Sequence, residues 1–370
     1  MSEPDMSYKP TSDRTLFITT SLLTIFGLVM VYSASSAVAS TKYHMSSYFL
    51  VRQIAWAAVG YLLMIFIMNV DYHILQKGKL VFGLITVSLA GLFMVFTQPR
   101  VNGARRWVRY GPFSFQPSEI AKLVLLVFLA WYLHRYEAEI NAPGKRLAPC
   151  LGVLLIFTGL VGIEPDLGQA FCFILFAAIL LFSAGLSWKY VAGAILLACP
   201  TLYFGIMCVP FRAGRLKAFL NPDNDPLGSG WNILQSLIAV GSGGIFGLGL
   251  GASRQKRFFL PEAHSDFIFA VIGEEIGLIG TILVTAAFVV FLYRGLKITL
   301  RAPDRFGFFL GLGITLMVVL QAFINLSMVL AMIPTKGIAL PFISQGGSSL
   351  ILNLVATGVL LNISHYGERA

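Results

Sequence analysis

The stretch HSDFIFAVIGEEIGLIG, residues 264–280, sets three carboxylates in a run otherwise as apolar as a membrane span. Asp266 stands at its head, and Glu274 and Glu275 follow less than three helical turns later. A carboxylate at the mouth of an apolar helix can act as a general base for a hydroxyl held within hydrogen-bond reach. Asp before an apolar run is equally an ordinary helix N-cap, and the residues alone leave both readings open. At a helix N-terminus the dipole would favour the anion, so Asp266 is expected to stay ionised. The glutamates lie about 12–14 Å further along a helix that rises about 1.5 Å per residue, too far to serve the same proton. Adjacent helical side chains diverge by about 100°, so the two should not face one partner. At least one is expected to pair with a hydroxyl or amide, or to be held neutral, in a packing or gating role.

Two further stretches carry chemistry. RVNGARRWVRYGPFSFQPSEIAKL, residues 100–123, sets Arg105, Arg106 and Arg109 among Trp107, Tyr110, Phe113 and Phe115. The planar fork of arginine suits phosphate oxygens, and a neighbouring aromatic suits a sugar face or the membrane interface. Pro117-Ser118-Glu119 opens a helix on which Glu119 and Lys122, three apart, share a face. IEPDLG, residues 163–168, offers Glu164 and Asp166. Asp166 after proline reads as a cap; the alternative is that it helps hold a divalent cation, magnesium or manganese, or orients Lys122. His264 is a lone histidine, expected to orient or to be exposed rather than to bind metal.

These residues must be held by membrane elements. The chain has 370 residues, 57% hydrophobic and 12% charged, with net charge +10 and mean hydropathy +0.79. Charged residues in soluble chains run near about 25%, so this is an integral membrane protein. Runs long enough for a core of about 30 Å fall at 15–41, 53–70, 80–99, 123–133, 147–163, 167–188, 190–211, 267–293, 306–335 and 337–364. The fourth must borrow Ser118 to Lys122 as its first turn. None alternates with period two, which argues against a barrel. The expected fold is all-α and polytopic, about ten transmembrane helices in one domain over 15–365. Residues 1–14 and 366–370 form cytoplasmic tails, and the first span is a retained anchor rather than a cleaved signal. Cys150, Cys172, Cys199 and Cys208 have no metal-like spacing and read as buried apolar thiols.

Ten spans put both termini on one side, and most connecting cations, among them Lys77, Arg135, Arg146, Lys189, Arg294, Lys297 and Arg301, join them there. That side is cytoplasmic by the positive-inside rule. The connections 100–122 and 212–264 nevertheless place eleven cations on the opposite face. Head-group contact is the plain explanation, and an anionic ligand is the sharper one. Residues 232–250, apolar yet with five glycines, suit a segment that dips into the interface. No strand precedes that run and no Gly-Lys-Ser/Thr follows it, so it is no nucleotide loop, and no nucleic-acid partner is expected.

RRWVRYGPFSFQPSEIAKL, EPDLGQA, NPDNDPLGSGWNILQS, HSDFIFAVIGEE and IPTKGIALPFISQGGSSLI resemble, in order and over nearly the whole chain, the SEDS family of bacterial cell-wall polymerases. PTKGIALPFIS is more similar to the division members than to the elongation members, with the sporulation members close. Gln345 stands where the family usually has Tyr, and Glu164 where it often has Gln. The resemblance implies glycosyl transfer from lipid II, an undecaprenyl-diphosphate disaccharide-pentapeptide, at the outer face of the bacterial cytoplasmic membrane. It implies Asp266 as the catalytic residue. Substrate contacts would come from Arg106, Trp107, Gln116, Glu119, Lys122, Asp166, Gln235, His264, Ser344, Gly346, Gly347 and Ser348. A class B penicillin-binding protein transpeptidase, other division or elongation proteins and membrane lipids are the implied partners. The rival expectations are a lipid II flippase, against which the crowding of motifs on one face argues, and a scaffold for division proteins, which would leave the basic loops and Asp266 unused.

Overall fold

The computed structural model describes residues 12–100, 104–110, 113–193, 196, 207–208 and 210–367. Hydrocarbon offers a backbone no water, so the apolar runs close their hydrogen bonds within helices. The helices are α1 (Arg14–Tyr43), α2 (Tyr48–Met68), α3 (Gly78–Val95), α4 (Pro117–Tyr136), α5 (Ala148–Ile163), α6 (Leu167–Ser183), α7 (Pro210–Leu220), α8 (Trp231–Ser242), α9 (Ile268–Leu300), α10 (Arg305–Val329) and α11 (Gly347–Gly367). Among the described residues eight helices are long and apolar enough to cross a membrane, and α6 is apolar but shorter. The all-α polytopic expectation holds. The span expected at 190–211 lies largely outside the described residues, as does Cys199. Cys150 and Cys172 are buried as expected, whereas Cys208 is exposed.

Burial sorts the helices. Of the most apolar window of α4, 78% is inside the protein, and of α10 and α11, 67%; for α2 and α3 the share is 22%. The central helices carry the polar groups, Glu119 and Lys122 on α4 and Gln321 and Asn325 on α10, all buried. Lipid-facing α2 and α3 show Leu62, Phe66, Phe82 and Val87 outward, which hydrocarbon tolerates as readily as a core does.

Three departures from the expected elements shape the site. A hairpin, β1 (Val108–Tyr110) with β2 (Phe113–Phe115), stands in the first basic loop and pairs Arg109 with Ser114. The last two spans are shorter than read: α10 stops at Val329 and α11 starts only at Gly347. Between them Pro334 and Pro341 bar a helix, and the irregular chain is buried at Ile338, Leu340, Phe342, Ile343 and Ser344. Finally α9 is broken at Gly277, φ 74° and ψ −160°. The turns after α8 enter that break: the Leu248 and Gly249 amides donate to the Glu274 and Glu275 carbonyls (2.9 and 3.0 Å), and the Leu278 amide donates to the Gly244 carbonyl (2.9 Å). The interface-dipping expectation for 232–250 thus becomes α8 plus a segment seated in a helix break, with Ile245, Phe246 and Leu250 exposed.

A Cβ at Gly277 would stand 2.4 Å from the Gly247 nitrogen, on a backbone conformation that only glycine adopts readily. Gly277→Ala should destabilise by about 1–3 kcal/mol, read as a lower melting temperature in detergent. Gly83→Ala on α3, with nothing within 4 Å of the added carbon, should leave it unchanged or slightly raised.

Candidate active site

Asp266 sits at the head of α9, half-buried, on a backbone clamped from one side. The Asn325 side-chain amide donates to the Asp266 carbonyl (2.8 Å) and to the Ile338 carbonyl (2.7 Å). The Ser344 hydroxyl donates to the Ser265 carbonyl (2.6 Å), and the Gln345 amide to the His264 carbonyl (3.0 Å). Gly337 backs the carboxylate: a Cβ there would come within 2.8 Å of Oδ2. The first turn of α9 takes no side-chain cap, so the N-cap reading of Asp266 is not what is observed. Burial, then Glu262, push its carboxyl up to about 7, with Asp166 adding to the rise and Arg106 and Arg215 opposing it. The expectation that the helix end would keep it ionised is therefore corrected: desolvation outweighs the dipole.

The cations are Arg106, Arg215 and Lys336. Arg106, 33% exposed, donates to the Pro165 carbonyl (2.5 Å) and lies 3.9 Å from Asp166 Oδ2. Arg215, whose NH1 reaches the Thr335 carbonyl at 3.4 Å, is lowered by burial and, next, by Arg106, while Asp266 supports its charge. Lys336 lies over the Phe171 ring at 4.9 Å, is lowered by burial and is supported by Cys172 and Asp166. Arg215 and Lys336 were missed as site residues. The signal was the adjacency of Lys336 to Gly337 inside PTKG and the Arg-rich opening of the second loop.

Lys122 is not a free cation. Its Nζ lies 2.9 Å from Glu119 Oε2 and 2.8 Å from Gln321 Oε1, and the side chain is 2% exposed. Gln169 donates to Glu119 (2.6 Å), and Gln321 to the Ala339 carbonyl (3.1 Å). The pair is sealed among α4, α6, α10 and the irregular segment, rather than open at the outer mouth. Asp166 does cap α6, accepting from the Gln169 amide (3.3 Å), and also accepts from Gln116 (3.2 Å). The Gln116 amide in turn donates to the Ser348 hydroxyl (3.2 Å). Glu164 is buried with neither oxygen bonded to protein, and burial followed by Asp166 pushes it up to about 8. Among the described residues no three His, Cys, Asp or Glu side chains gather as a metal site. The divalent-cation option at Asp166 lacks a ligand set of that kind, and Arg106 is the positive charge beside it.

The remaining expected contacts divide. Trp107, directly before β1, is half-buried. His264 is half-buried with its ring 4.9 Å from that of Phe49, and burial lowers it. Gln235 lies on the buried face of α8 beside Ser236, which bonds the Val329 carbonyl at 2.8 Å; no hydrogen bond joins Gln235 to the Asp266 group among the described residues. The SQGGSS residues hold the fold: Gln53 donates to the Ser344 carbonyl (3.1 Å) and accepts from the Gly346 amide (3.3 Å), and Gly347 packs on the Trp56 indole.

Residues 13–369 match the FtsW/RodA/SpoVE family model, described as cell cycle protein. The chain belongs to that family. It is 43% identical to the probable peptidoglycan glycosyltransferase FtsW of Geobacter metallireducens over 355 residues, 95% of this chain and 94% of that one. It is 43% identical to the stage V sporulation protein E of Bacillus subtilis over 370 residues, 98% and 100%. Its fold matches a chain from a study titled "Structural coordination of polymerization and crosslinking by a peptidoglycan synthase complex", TM-score 0.80, 28% identical, covering 97% of this chain and 99% of that one. It also matches RodA of Thermus thermophilus, TM-score 0.70, 27% identical, 95% and 96%.

The two intramembrane glutamates of this family member are both satisfied. Glu274 accepts from the Ser253 hydroxyl (2.5 Å) and from the Arg254 amide (2.8 Å). Glu275 accepts from Ser33 (2.6 Å) and forms a buried ion pair with Lys256 (2.6 Å). The Ser253 amide also reaches Glu275 (3.4 Å), so the two do share a partner, contrary to expectation, because the loop threads between them. The stretch SRQKRFF, residues 253–259, therefore places Lys256 on Glu275.

Breaking a buried pair leaves an uncompensated charge worth about 3–5 kcal/mol. Lys122→Ala should accordingly lose folded protein in membrane extracts, whereas Arg106→Ala, at a one-third-exposed side chain, should retain it; quantitative blotting after detergent extraction distinguishes them. For Asp266 the sign follows from linkage. Its folded value of about 7 exceeds the ordinary 3.8, so between those values the native state holds a proton that the unfolded chain has lost. Stability falls as pH rises through that window. Asp266→Asn removes this term, so its melting temperature should gain on wild type between pH 5 and pH 8.

Proposed function

We propose that this chain is a peptidoglycan glycosyltransferase that polymerises lipid II at the outer face of the bacterial cytoplasmic membrane, in septal wall synthesis. The observation that carries the reading is Asp266, a half-buried carboxylate without a hydrogen-bond partner among the described residues, pushed up to about 7 and facing Arg106 and Arg215. A base of that strength is matched to a hydroxyl reaction near neutral pH. A sugar 4-hydroxyl attacks the anomeric carbon of the donor, the new C–O bond forms as the bond to diphosphate breaks, and the hydroxyl proton passes to Asp266. Undecaprenyl diphosphate leaves with its charge met by Arg106, Arg215 and Lys336. Transfer inverts the anomeric centre. Lys122, Glu119, Gln116 and Asp166 hold Arg106 and the mouth of α6 in place, and Trp107 and His264 line the approach.

The names of the relatives, peptidoglycan glycosyltransferase among them, support the reading. On this reading, loops 100–117 and 212–264 are extracytoplasmic and both termini cytoplasmic. Residues 15–365 form the membrane domain between tails 1–14 and 366–370. The chain works with a class B penicillin-binding protein that crosslinks the strand, as befits kinship with a chain of a peptidoglycan synthase complex.

The test is glycan formation from lipid II by purified wild type and Asp266→Asn, each with the transpeptidase. Wild type should form polymer, and the Asn variant, which cannot take the proton, should be slower by at least about 10²–10⁴-fold. Polymer from both at equal rate removes Asp266 from the chemistry. Polymer from neither favours a transporter.

A further inference from the structure

The break at Gly277 has a mechanical effect. Residues 268–276 form a half-helix of nine residues separate from the rest of α9, and Asp266 stands immediately before its head. A rod of that length, about 13 Å at about 1.5 Å per residue, transmits any tilt at its foot to its head. The head is held through backbone carbonyls by Asn325, Ser344 and Gln345. The foot carries Glu274 and Glu275, both buried, and there the incoming loop is fastened by side chains: Ser253 on Glu274, Lys256 on Glu275, and Ser33 of α1 on both Glu275 (2.6 Å) and Lys256 (3.0 Å). From Lys256 a series of turns leads back to the head, with the Leu260 amide on the Gln255 carbonyl (2.9 Å) and the Phe267 amide on the Glu262 carbonyl (3.3 Å). The returning loop thus ties the foot of the half-helix to its head, next to Asp266.

We propose that Glu274, Glu275, Lys256 and Ser253 are positioning residues for Asp266: they fix the foot of the half-helix and the loop that returns to it, and so aim the carboxylate at its substrate. A buried ion pair adds little net stability over an apolar pair of like size, yet it selects one geometry. The inference rests on the reading of Asp266 as the base, and the test separates the two.

The decisive variant replaces both members, Lys256→Met with Glu275→Met, so that no lone charge is left and the chain still assembles. Lipid II polymerisation is measured with wild type, the double variant, Ser253→Ala and Asp266→Asn side by side. Positioning predicts that the double variant keeps its KM within about threefold while kcat falls by about 10–100-fold, since misplacement by about 1 Å costs on the order of 10². Ser253→Ala, which removes one hydroxyl, should show the same split more weakly. A double variant with wild-type kcat overturns the proposal and leaves the pair a packing feature. A fall confined to KM also overturns it. If the double variant fails to assemble, Ser253→Ala decides by the same criterion. If Asp266→Asn polymerises as wild type does, the reading of the base fails instead.

Discussion

The Asn325 side chain donates one hydrogen bond to the carbonyl of Asp266 and another to that of Ile338. Both acceptors belong to backbone outside any helix, so no helix ladder satisfies them. Non-helical chain at such a place is tolerable only if side chains take over the work of the helix ladder, and they do. Gln321 meets the Ala339 carbonyl, the Leu340 amide meets the Ser344 hydroxyl, and Gln53 meets both the Ser344 carbonyl and the Gly346 amide. Pro334 and Pro341 keep the segment 330–346 from closing its own helix ladder, so these amides and hydroxyls fix the path that lays Gly337 against Asp266.

The same economy governs the charges. Lys122 with Glu119, and Lys256 with Glu275, are buried pairs with further hydrogen bonds, so they hold elements together and are sealed from solvent. Arg106, by contrast, keeps a third of its side chain in contact with solvent. A chain of net charge +10 thus presents fewer usable positive charges at the site than its loops suggest. Those that remain surround two raised carboxyls, Asp166 and Asp266.

Much of this was legible in the sequence. Composition and apolar runs identified a polytopic helical bundle, and the motifs identified the family; of the residues they singled out, Arg106, Gln116 and Asp166 are gathered, whereas Gln235 stands apart. Hydropathy could not show that 330–346 is buried without being helical, because burial and helicity give the same apolar signal and only Pro334 and Pro341 hinted otherwise. Nor could it show the break in α9: a glycine in an apolar helix is common, and its left-handed torsion is imposed by a loop arriving from thirty residues upstream. Lys122 was expected to contact substrate and is instead sealed on Glu119. Sequence position reveals that a cation is near a mouth, but not whether its flexible stem turns inward to a carboxylate.

Among the described residues no hydrogen bond reaches the half-buried Asp266 carboxylate, while the Ser265 and Asp266 carbonyls beside it accept from Ser344 and Asn325. Gly337 closes one side, the capping site of α9 is not used, and the nearest cations act on it through space rather than by hydrogen bond. A carboxylate already accepting protein hydrogen bonds would be a weaker base, since those bonds stabilise the anion. With no such bond among the described residues, burial is left to raise the affinity of Asp266 for a proton.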